Sequence, residues 1–597
     1  MRRKIRFIFG IIWRNNRKLF FSHIFQIPIL VILPYLTLFL TKALVEGIEK
    51  QYALHTYLIG ILFIFLLQLG LTGMRDWMDA SANWRNALLI NDLLSPIDEK
   101  TMDTDYVNVE GMTGQKSREK ALNAVYVSGQ RAMSRFVSFS VNLLGLILYG
   151  ATVGACNGVI LLIVITTSLG GYLLSRLRRK YEMKQKEAMI KCENKMRYLE
   201  NEAVSLQAAR EIRMYDMSGL MDRLYRRHME DRVRLANRIS RVKFLISGGG
   251  SLLSFIRNFA AYFYLIHLVS LGQITAADFI LMIGLASSLS GWLSGVMDDI
   301  GEIRKMGMYL EDYFAYLDLP DGTGACAEIA HMGNMRPGGK APELKFERVC
   351  FRYEGALEDT LKDISFTIKP GEKLAIVGRN GAGKTTLIKL LSGLYRPDRG
   401  RILLDGEDIT GYGKEAYFRA ISAVFQDIIL LPVSIMQNVS SHIYERTDKE
   451  KVKKSLDMAG IYERAARLPK GMDTPMQKTV REDGVDLSGG EQQKVMLAKA
   501  VYKDARILIL DEPTAALDPV AENNIYQKYG QLTRGMTSLF ISHRLASTSF
   551  CDHIILIDGG KIIEQGSHKE LMGARGEYWK MYTLQSHYYD LEEHRYG

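Results

Sequence analysis

Five stretches of this chain, Ile24 to Thr41, Thr56 to Gly73, Phe136 to Gly154, Ala155 to Ser175 and Phe279 to Met297, contain no Asp, Glu, Lys or Arg. A helix rises ~1.5 Å per residue, so each stretch is about long enough to cross the hydrocarbon core of a bilayer. A sixth, Phe244 to Gln273, is interrupted only by Arg257 and His267. Six such stretches would leave a soluble helical bundle too little polar surface to cover them, whereas in lipid a helix satisfies its own backbone polar groups. The sequence therefore predicts an all-α membrane domain of six spans over residues 1–317.

Charge asymmetry orients these spans. Residues 1 to 18 carry Arg2, Arg3, Lys4, Arg6, Arg14, Arg17 and Lys18 with no acid, and Arg176 to Lys243 holds 19 Lys or Arg against 10 Asp or Glu. By the positive-inside rule both segments are cytoplasmic. The connections after spans one, three and five carry only Lys42 and Lys50 as basic residues, so they face outward and the second half of the chain returns to the cytoplasm. The net charge of +11 then reflects membrane topology, and nucleic acid is not an expected partner. Phe7 to Trp13 is flanked by arginines with no small-residue cleavage site after it, and reads as an interfacial elbow helix, not a cleaved signal. Cys156, Cys192, Cys326, Cys350 and Cys551 show neither metal-ligand spacing nor a paired framework. The long connections Arg75 to Arg135 and Arg176 to Lys243 combine charge with Leu, Met, Ala and Tyr at helical spacing, so the spans continue as helices out of the bilayer. Asp298 to Leu317 continues span six in the same way, and the Gly- and Pro-containing 318–342 is the linker to a second domain, 343–597.

In that second domain residues 378 to 385 read Gly-Arg-Asn-Gly-Ala-Gly-Lys-Thr, with Gly378, Gly383, Lys384 and Thr385 at the defining positions of a P-loop. Apolar Lys373–Val377 before it suits a buried strand, and Thr386 to Leu391 after it has helical spacing. In this motif glycines let successive N–H groups point at a phosphate, the lysine reaches the β- and γ-phosphates, and the hydroxyl of Thr385 ligates Mg²⁺. Arg506–Glu512 is an apolar run ending in two acids: Asp511 suits Mg²⁺, and Glu512 the orientation of an attacking water. Leu487-Ser488-Gly489-Gly490-Glu491 opens a helical stretch, Gln492 to Tyr502, and offers a second anion site at a helix N-terminus.

The P-loop, the Leu-Ser-Gly-Gly signature, the acid-ended strand, Ala516-Leu517-Asp518 and Ser542-His543, in this order, resemble the nucleotide-binding domain of an ABC transporter, and with the six spans the likeness is to an exporter-type half-transporter. The resemblance implies an α/β P-loop NTPase domain that binds ATP and Mg²⁺ through Gly378, Asn380, Gly381, Ala382, Gly383, Lys384, Thr385 and Thr386, with Tyr353 stacking on adenine. It implies Glu512 as general base, His543 at the γ-phosphate, Gln426 coupling γ-phosphate and Mg²⁺ to the membrane domain, and Asp518 in a loop that crosses to the other ATP site. Ser488, Gly489, Gly490 and Glu491 would close on the nucleotide of a partner chain, so the implied assembly is a dimer, with a homodimer favoured over a heterodimer. Arg481, Asp483, Glu491 and Lys494 depart from the usual residues of the signature region. Family members dock short transverse helices on the ATPase; here these would lie near Asp103 to Gly114 and Met214 to Met221. The implied activity is ATP-driven export of a drug-like compound, lipid or peptide across the cytoplasmic membrane; an importer on the same scaffold and an ATP-gated channel or sensor are the alternatives.

Two membrane features stand outside that resemblance. Gly248-Gly249-Gly250 suits either a hinge or close helix packing. Arg257 lies at hydrocarbon depth and is expected either to face a central cavity with Tyr264, meeting polar cargo, or to pair with a helix carbonyl or with Asp298 or Asp299.

Overall fold

The computed structural model describes residues 2–320, 340–512, 530, 532–533, 535–542 and 545–596. The chain divides into two compact units, residues 1–100 with 117–318 and residues 101–116 with 319–597.

The first unit is helical. An amphipathic α1 (Arg2–Asn15) is followed by α2 (Arg17–Glu49), and the break between them is fixed by Asn16, whose side-chain oxygen accepts from Leu19 N at 3.2 Å. Phe7 of α1 packs edge-on against Phe314 at 5.0 Å. After α3 (Leu54–Asp103), and after α4 (Tyr106–Glu110) and the start of α5 (Met112–Ala124), which belong to the second unit, come α6 (Gln130–Cys156), α7 (Gly158–Val204), α8 (Leu206–Met214), α9 (Ser218–Ser270) and α10 (Ala276–Leu317). Six of these helices are long and apolar enough to cross a membrane, and each contains one of the six expected stretches or most of it. Two boundaries differ from expectation. Ala155 and Cys156 end α6, because Asn157 caps α7 by accepting from Val159 N and Ile160 N. Gln273 lies beyond α9, in the turn before Thr275 caps α10.

The packed centre of this unit joins Tyr149 and Val153 of α6, Ile160 and Val164 of α7, Leu265 and Leu268 of α9, and Leu285, Ala286 and Leu289 of α10. Helix α9 runs unbroken through Gly248–Gly250, and a Cβ on Gly249 would meet Leu174 of α7 at 3.3 Å. The glycine run thus sits where α9 approaches α7, as small residues do between membrane helices. The short helix between the fourth and fifth membrane-length helices is α8, Leu206–Met214, upstream of the expected Met214 to Met221. Ser205 caps it through Ala208 N, and a turn with Asp216 at φ +47° separates it from α9.

The second unit is α/β. Strands β1 (Leu344–Phe351), β2 (Leu361–Ile368), β4 (Arg399–Leu404) and β5 (Glu407–Asp408) form an antiparallel sheet in the order β2-β1-β4-β5. Strands β3 (Lys373–Gly378), β6 (Ile421–Val424), β7 (Ile507–Asp511), β8 (Thr537–Ile541), β9 (His553–Asp558) and β10 (Lys561–Gly566) form a second sheet in the order β10-β9-β3-β8-β7-β6. All its pairings are parallel except that of the edge strand β10. A parallel sheet is covered on both faces, which is why these strands read as unbroken apolar runs. Successive side chains alternate accordingly: Ala375 and Val377 enter one core, Leu374 and Ile376 the other.

Candidate functional site

Parallel strands in register bring their carboxyl ends to one edge, where open α/β sheets bind ligands. Here β3 ends at Gly378, β7 at Asp511 opposite Ile541 of β8, and β6 at Val424 two residues before Gln426. The P-loop leaves β3 and enters α11 (Lys384–Leu391). Its glycines are forced by geometry. A Cβ on Gly378 would lie 2.1 Å from Ile557 O, and Gly383, which caps α11, has φ +103°.

A cleft of about 720 Å³ opens at this edge, lined by Asn380, Gly381, Gly383, Lys384, Thr385, Thr386, Gln426 and Glu512, together with Thr360 and Gln585. Most of the expected P-loop residues meet here. Ala382 is buried beneath the loop, its N–H donating to Arg379 O at 3.2 Å. Lys384 is 6% exposed, and its Nζ donates to Gly378 O at 2.8 Å and Arg379 O at 3.0 Å. Burial lowers its pKa, opposed by the charges of Glu512 and Asp511. Asp511 is buried, and burial with the neighbouring Glu512 charge pushes its carboxyl up to about 6 despite Lys384. Glu512 has φ +48°, its N–H is bonded to Ile541 O at 3.0 Å, and its Oε2 accepts from Gln426 Nε2 at 3.1 Å. The cleft thus presents a buried cation and the Glu512 carboxylate, while the buried Asp511 precedes Glu512 in the chain and is not itself a lining residue. His543 and Asp518 lie outside the described residues, as do Cys326 and most of the linker. The other four cysteines are free.

Thr360 and Gln585 were not legible as site residues. Gln585 comes from the carboxyl-terminal helix Glu577–Tyr596, where it accepts from Leu545 N at 2.8 Å. No motif marks it. Thr360 stands just before β2, and only the Cβ-less approach of Gly383 to Thr360 O and Leu361 hints at its place.

None of Ser488, Gly489, Gly490 and Glu491 is among the residues lining this cleft. Ser488 caps the helix Gly489–Tyr502 in a reciprocal box: its Oγ accepts from Glu491 N, and its own N–H donates to Glu491 Oε2 at 2.9 Å. Arg464 Nε donates to Glu491 Oε1 at 2.8 Å. Burial opposes ionisation of Glu491, but the Ser488 N–H and the Arg464 guanidinium outweigh it and hold the carboxyl below its ordinary value. The acid at this position is therefore neutralised within its own domain. Asp483 is likewise held by Lys470 at 2.7 Å and Arg481 at 3.1 Å, which push it down to about 2.

Tyr353 is not among the described residues that line the cleft. Its hydroxyl lies 3.1 Å from Thr386 Oγ1, and its ring packs edge-on against Phe351 at 5.0 Å and Tyr395 at 5.5 Å. This aromatic group carries the segment 101–116, which belongs to the α/β unit. Tyr106 of α4 packs against Tyr395 at 6.0 Å. Glu110 accepts from Lys389 Nζ at 2.7 Å and from the Tyr395 hydroxyl at 2.5 Å, while Lys414 Nζ donates to Asp103 O and Thr104 O. Since Lys389 and Thr386 both lie on α11, the expected first docking segment is bonded directly to the P-loop helix.

The chain therefore carries helices of membrane-spanning length followed by a P-loop α/β domain with a capped signature helix. Residues 361–515 match the family model described as ABC transporter. The chain is 39% identical over 285 residues to an ATP-dependent lipid A-core flippase of Alkalilimnicola ehrlichii, covering 48% of this chain and 46% of that protein. It is 31% identical over 385 residues to the flippase of the same description in Xanthomonas campestris pv. campestris, covering 64% and 62%. The chain thus spans about half the length of the first of these curated relatives and somewhat more of the second. A solved bacterial Atm1-family ABC exporter with ATP bound shares the fold with a TM-score of 0.77, over 96% of this chain and 99% of that one, at 21% identity. The chain thus shares its fold with an ABC exporter over nearly its whole length, matches the ABC transporter family model over residues 361–515, and is a multi-pass membrane protein, with six helices among the described residues long and apolar enough to cross a membrane.

Proposed function

We propose that this chain is one half of an ATP-driven exporter that moves an amphiphilic substrate outward across the cytoplasmic membrane, its amino terminus and ATPase domain facing the cytoplasm. The observation that carries the reading is that the Ser488–Glu491 helix terminus, a second anion-binding element, does not line the P-loop cleft of its own domain. Two anion-binding elements that cannot share one phosphate chain within a domain can share it between two copies. A homodimer provides two such composite sites. The match to relatives described as lipid A-core flippases favours a lipid-like cargo among drug-like compounds, lipids and peptides.

Within each site Lys384 and the P-loop N–H groups would hold the phosphates, and Glu512 would orient the attacking water. The oxygen donors Thr385, Gln426 and Asp511 fit Mg²⁺. In such a site phosphate oxygens and water would complete the shell of the cation. Asp511, disfavoured as an anion by its burial, is the group a divalent cation would keep ionised, and the cation would supply charge neutralisation at the phosphates. His543 and Asp518 keep their proposed roles at the γ-phosphate and in the crossing loop, and Tyr353 its role at the adenine.

Reconstitution into proteoliposomes with the ATPase domain outside tests the direction of transport. A fluorescent lysophospholipid should move into the lumen only with ATP and Mg²⁺. Movement out of the lumen would make the chain an importer, and hydrolysis without net movement would make it a channel or sensor.

The bonds at Glu110 give a second expectation, for coupling. Glu110→Ala leaves Lys389 and the Tyr395 hydroxyl without their acceptor but removes nothing from the phosphate cleft. In nanodiscs the ratio of substrate-stimulated to basal hydrolysis should fall about fivefold, a loss of ~1 kcal/mol, with ATP affinity within about twofold of wild type. Burial opposes the Glu110 charge, yet the bonds from Lys389 and Tyr395 hold its carboxyl below the ordinary 4.5. A depressed carboxylate stabilises above its unfolded pKa, so this grip is complete above about pH 5 and is lost as pH falls through the lower folded value. Stimulation in the variant should therefore lose the acid-side decline that the wild type shows below pH 5.

A further inference from the structure

The helix face of Arg257 is decided by its neighbours along α9. Leu252, Phe255, Phe259, Phe263 and Ile266 form an exposed apolar stripe, while Ala261, Leu265 and Leu268 on the opposite side are buried. At ~100° per residue Arg257 falls on the buried side, in line with Ala261, Tyr264 and Leu268, and turned away from the surface that suits lipid. It is thirteen residues from the Ser270 end of the helix, roughly 20 Å at ~1.5 Å per residue. A guanidinium at that depth is costly unless its charge is answered.

Neither carboxylate expected near it is available. Asp298 accepts from Arg179 at 2.9 Å, and Asp299 accepts from Ser138 at 2.8 Å and Asn142 at 2.7 Å. Among the described residues no acid lies within ion-pair distance of Arg257. Its partners are neutral: NH1 donates to Ser290 Oγ of α10, and Nε and NH2 donate to Asn258 Oδ1 at 3.1 and 3.0 Å. Those three bonds hold the guanidinium in place and leave one N–H on each terminal nitrogen, a pair that suits bidentate contact with an oxyanion. The side chain is half-buried, not enclosed. Two turns nearer the outer end on the same stripe, the Tyr264 hydroxyl accepts from Asn157 Nδ2 at 3.2 Å, which continues a polar track along the inner side of α9.

We propose that Arg257, oriented by Ser290 and Asn258, is the counter-charge for an anionic headgroup, a phosphate or carboxylate carried by the transported amphiphile. This rests on the exporter reading and narrows its substrate class.

The test uses the full-length protein in phosphatidylcholine nanodiscs and three probes with one acyl chain: oleoyl lysophosphatidic acid, oleate and the uncharged monoolein. ATP hydrolysis is titrated with each probe and normalised to each variant's own rate without probe. Wild type should respond to one or both anions at concentrations at least about tenfold below monoolein, and the stronger of the two tells phosphate from carboxylate. Arg257→Ala should raise the half-maximal concentration for the anion about tenfold and erase the preference over monoolein, while Arg257→Lys should restore most of it. If Arg257→Ala does not fold, Arg257→Gln makes the same comparison. Equal half-maximal concentrations in wild type and variant, a wild type that prefers monoolein, or no response to either anion would overturn the proposal. A wild type that hydrolyses ATP without answering to anions refutes only this inference, whereas absence of any hydrolysis refutes the exporter reading itself.

Discussion

Glu512→Gln is expected to lower ATP hydrolysis by about 100- to 10,000-fold, the usual span for loss of a positioned general base, while nucleotide remains bound. The residue directly follows β7 in a left-handed conformation, with its N–H bonded to Ile541 O and its carboxylate to Gln426. Glutamine keeps the shape and the backbone bond, so the loss falls on the chemistry of the water. Because none of the P-loop contacts changes, the variant should accumulate as an ATP-bound dimer, detectable as nucleotide retained through gel filtration and as a shift to twice the protomer mass. Hydrolysis within tenfold of wild type would remove Glu512 from the role of base.

The clarity with which this site could be read from the sequence follows from how little of it depends on distant packing. The glycines of the P-loop, Lys384 and Thr385 lie within one turn of chain, and Asp511 and Glu512 are adjacent at the end of one strand, so local spacing carries their chemistry. The six spans were legible for a similar reason, since exclusion of charge over a bilayer width is a property of contiguous residues. What escaped was set by long-range contact or by a single capping side chain. Asn157 moves the start of α7 by three residues, and Ser205 places α8 upstream of the expected docking helix; both are residue types that favour the N-cap. Thr360 and Gln585 reach the cleft from segments with no motif of their own. The bonding of Glu110 to Lys389 and Tyr395 joins residues about 280 positions apart and leaves no pattern in either segment. Arg257 shows the limit most clearly. Its depth followed from the span, but the rejection of Asp298 and Asp299 as partners required seeing that other side chains already hold them.

Lys384→Ala should fail at an earlier step than Glu512→Gln, by weakening nucleotide binding itself. The ammonium is almost wholly buried, tethered to two P-loop carbonyls, and its pKa is depressed by that burial, so the fold already bears the cost of desolvating it before a phosphate arrives. A charge prepared in this way contributes more to a polyphosphate than a mobile surface lysine does. Charge-assisted hydrogen bonds to a desolvated partner contribute ~1.5–3 kcal/mol, so the loss of one such bond corresponds to an affinity loss of about 10- to 150-fold. The substitution also removes the positive charge that favours ionised Asp511, which would weaken the hold on any cation carried with the nucleotide. Equilibrium binding of a fluorescent ATP analogue checks the prediction, and the pair of variants checks the division of roles. Glu512→Gln should retain nucleotide through gel filtration and Lys384→Ala should lose it. If both lose nucleotide alike, Glu512 contributes to binding and its assignment to the water is wrong.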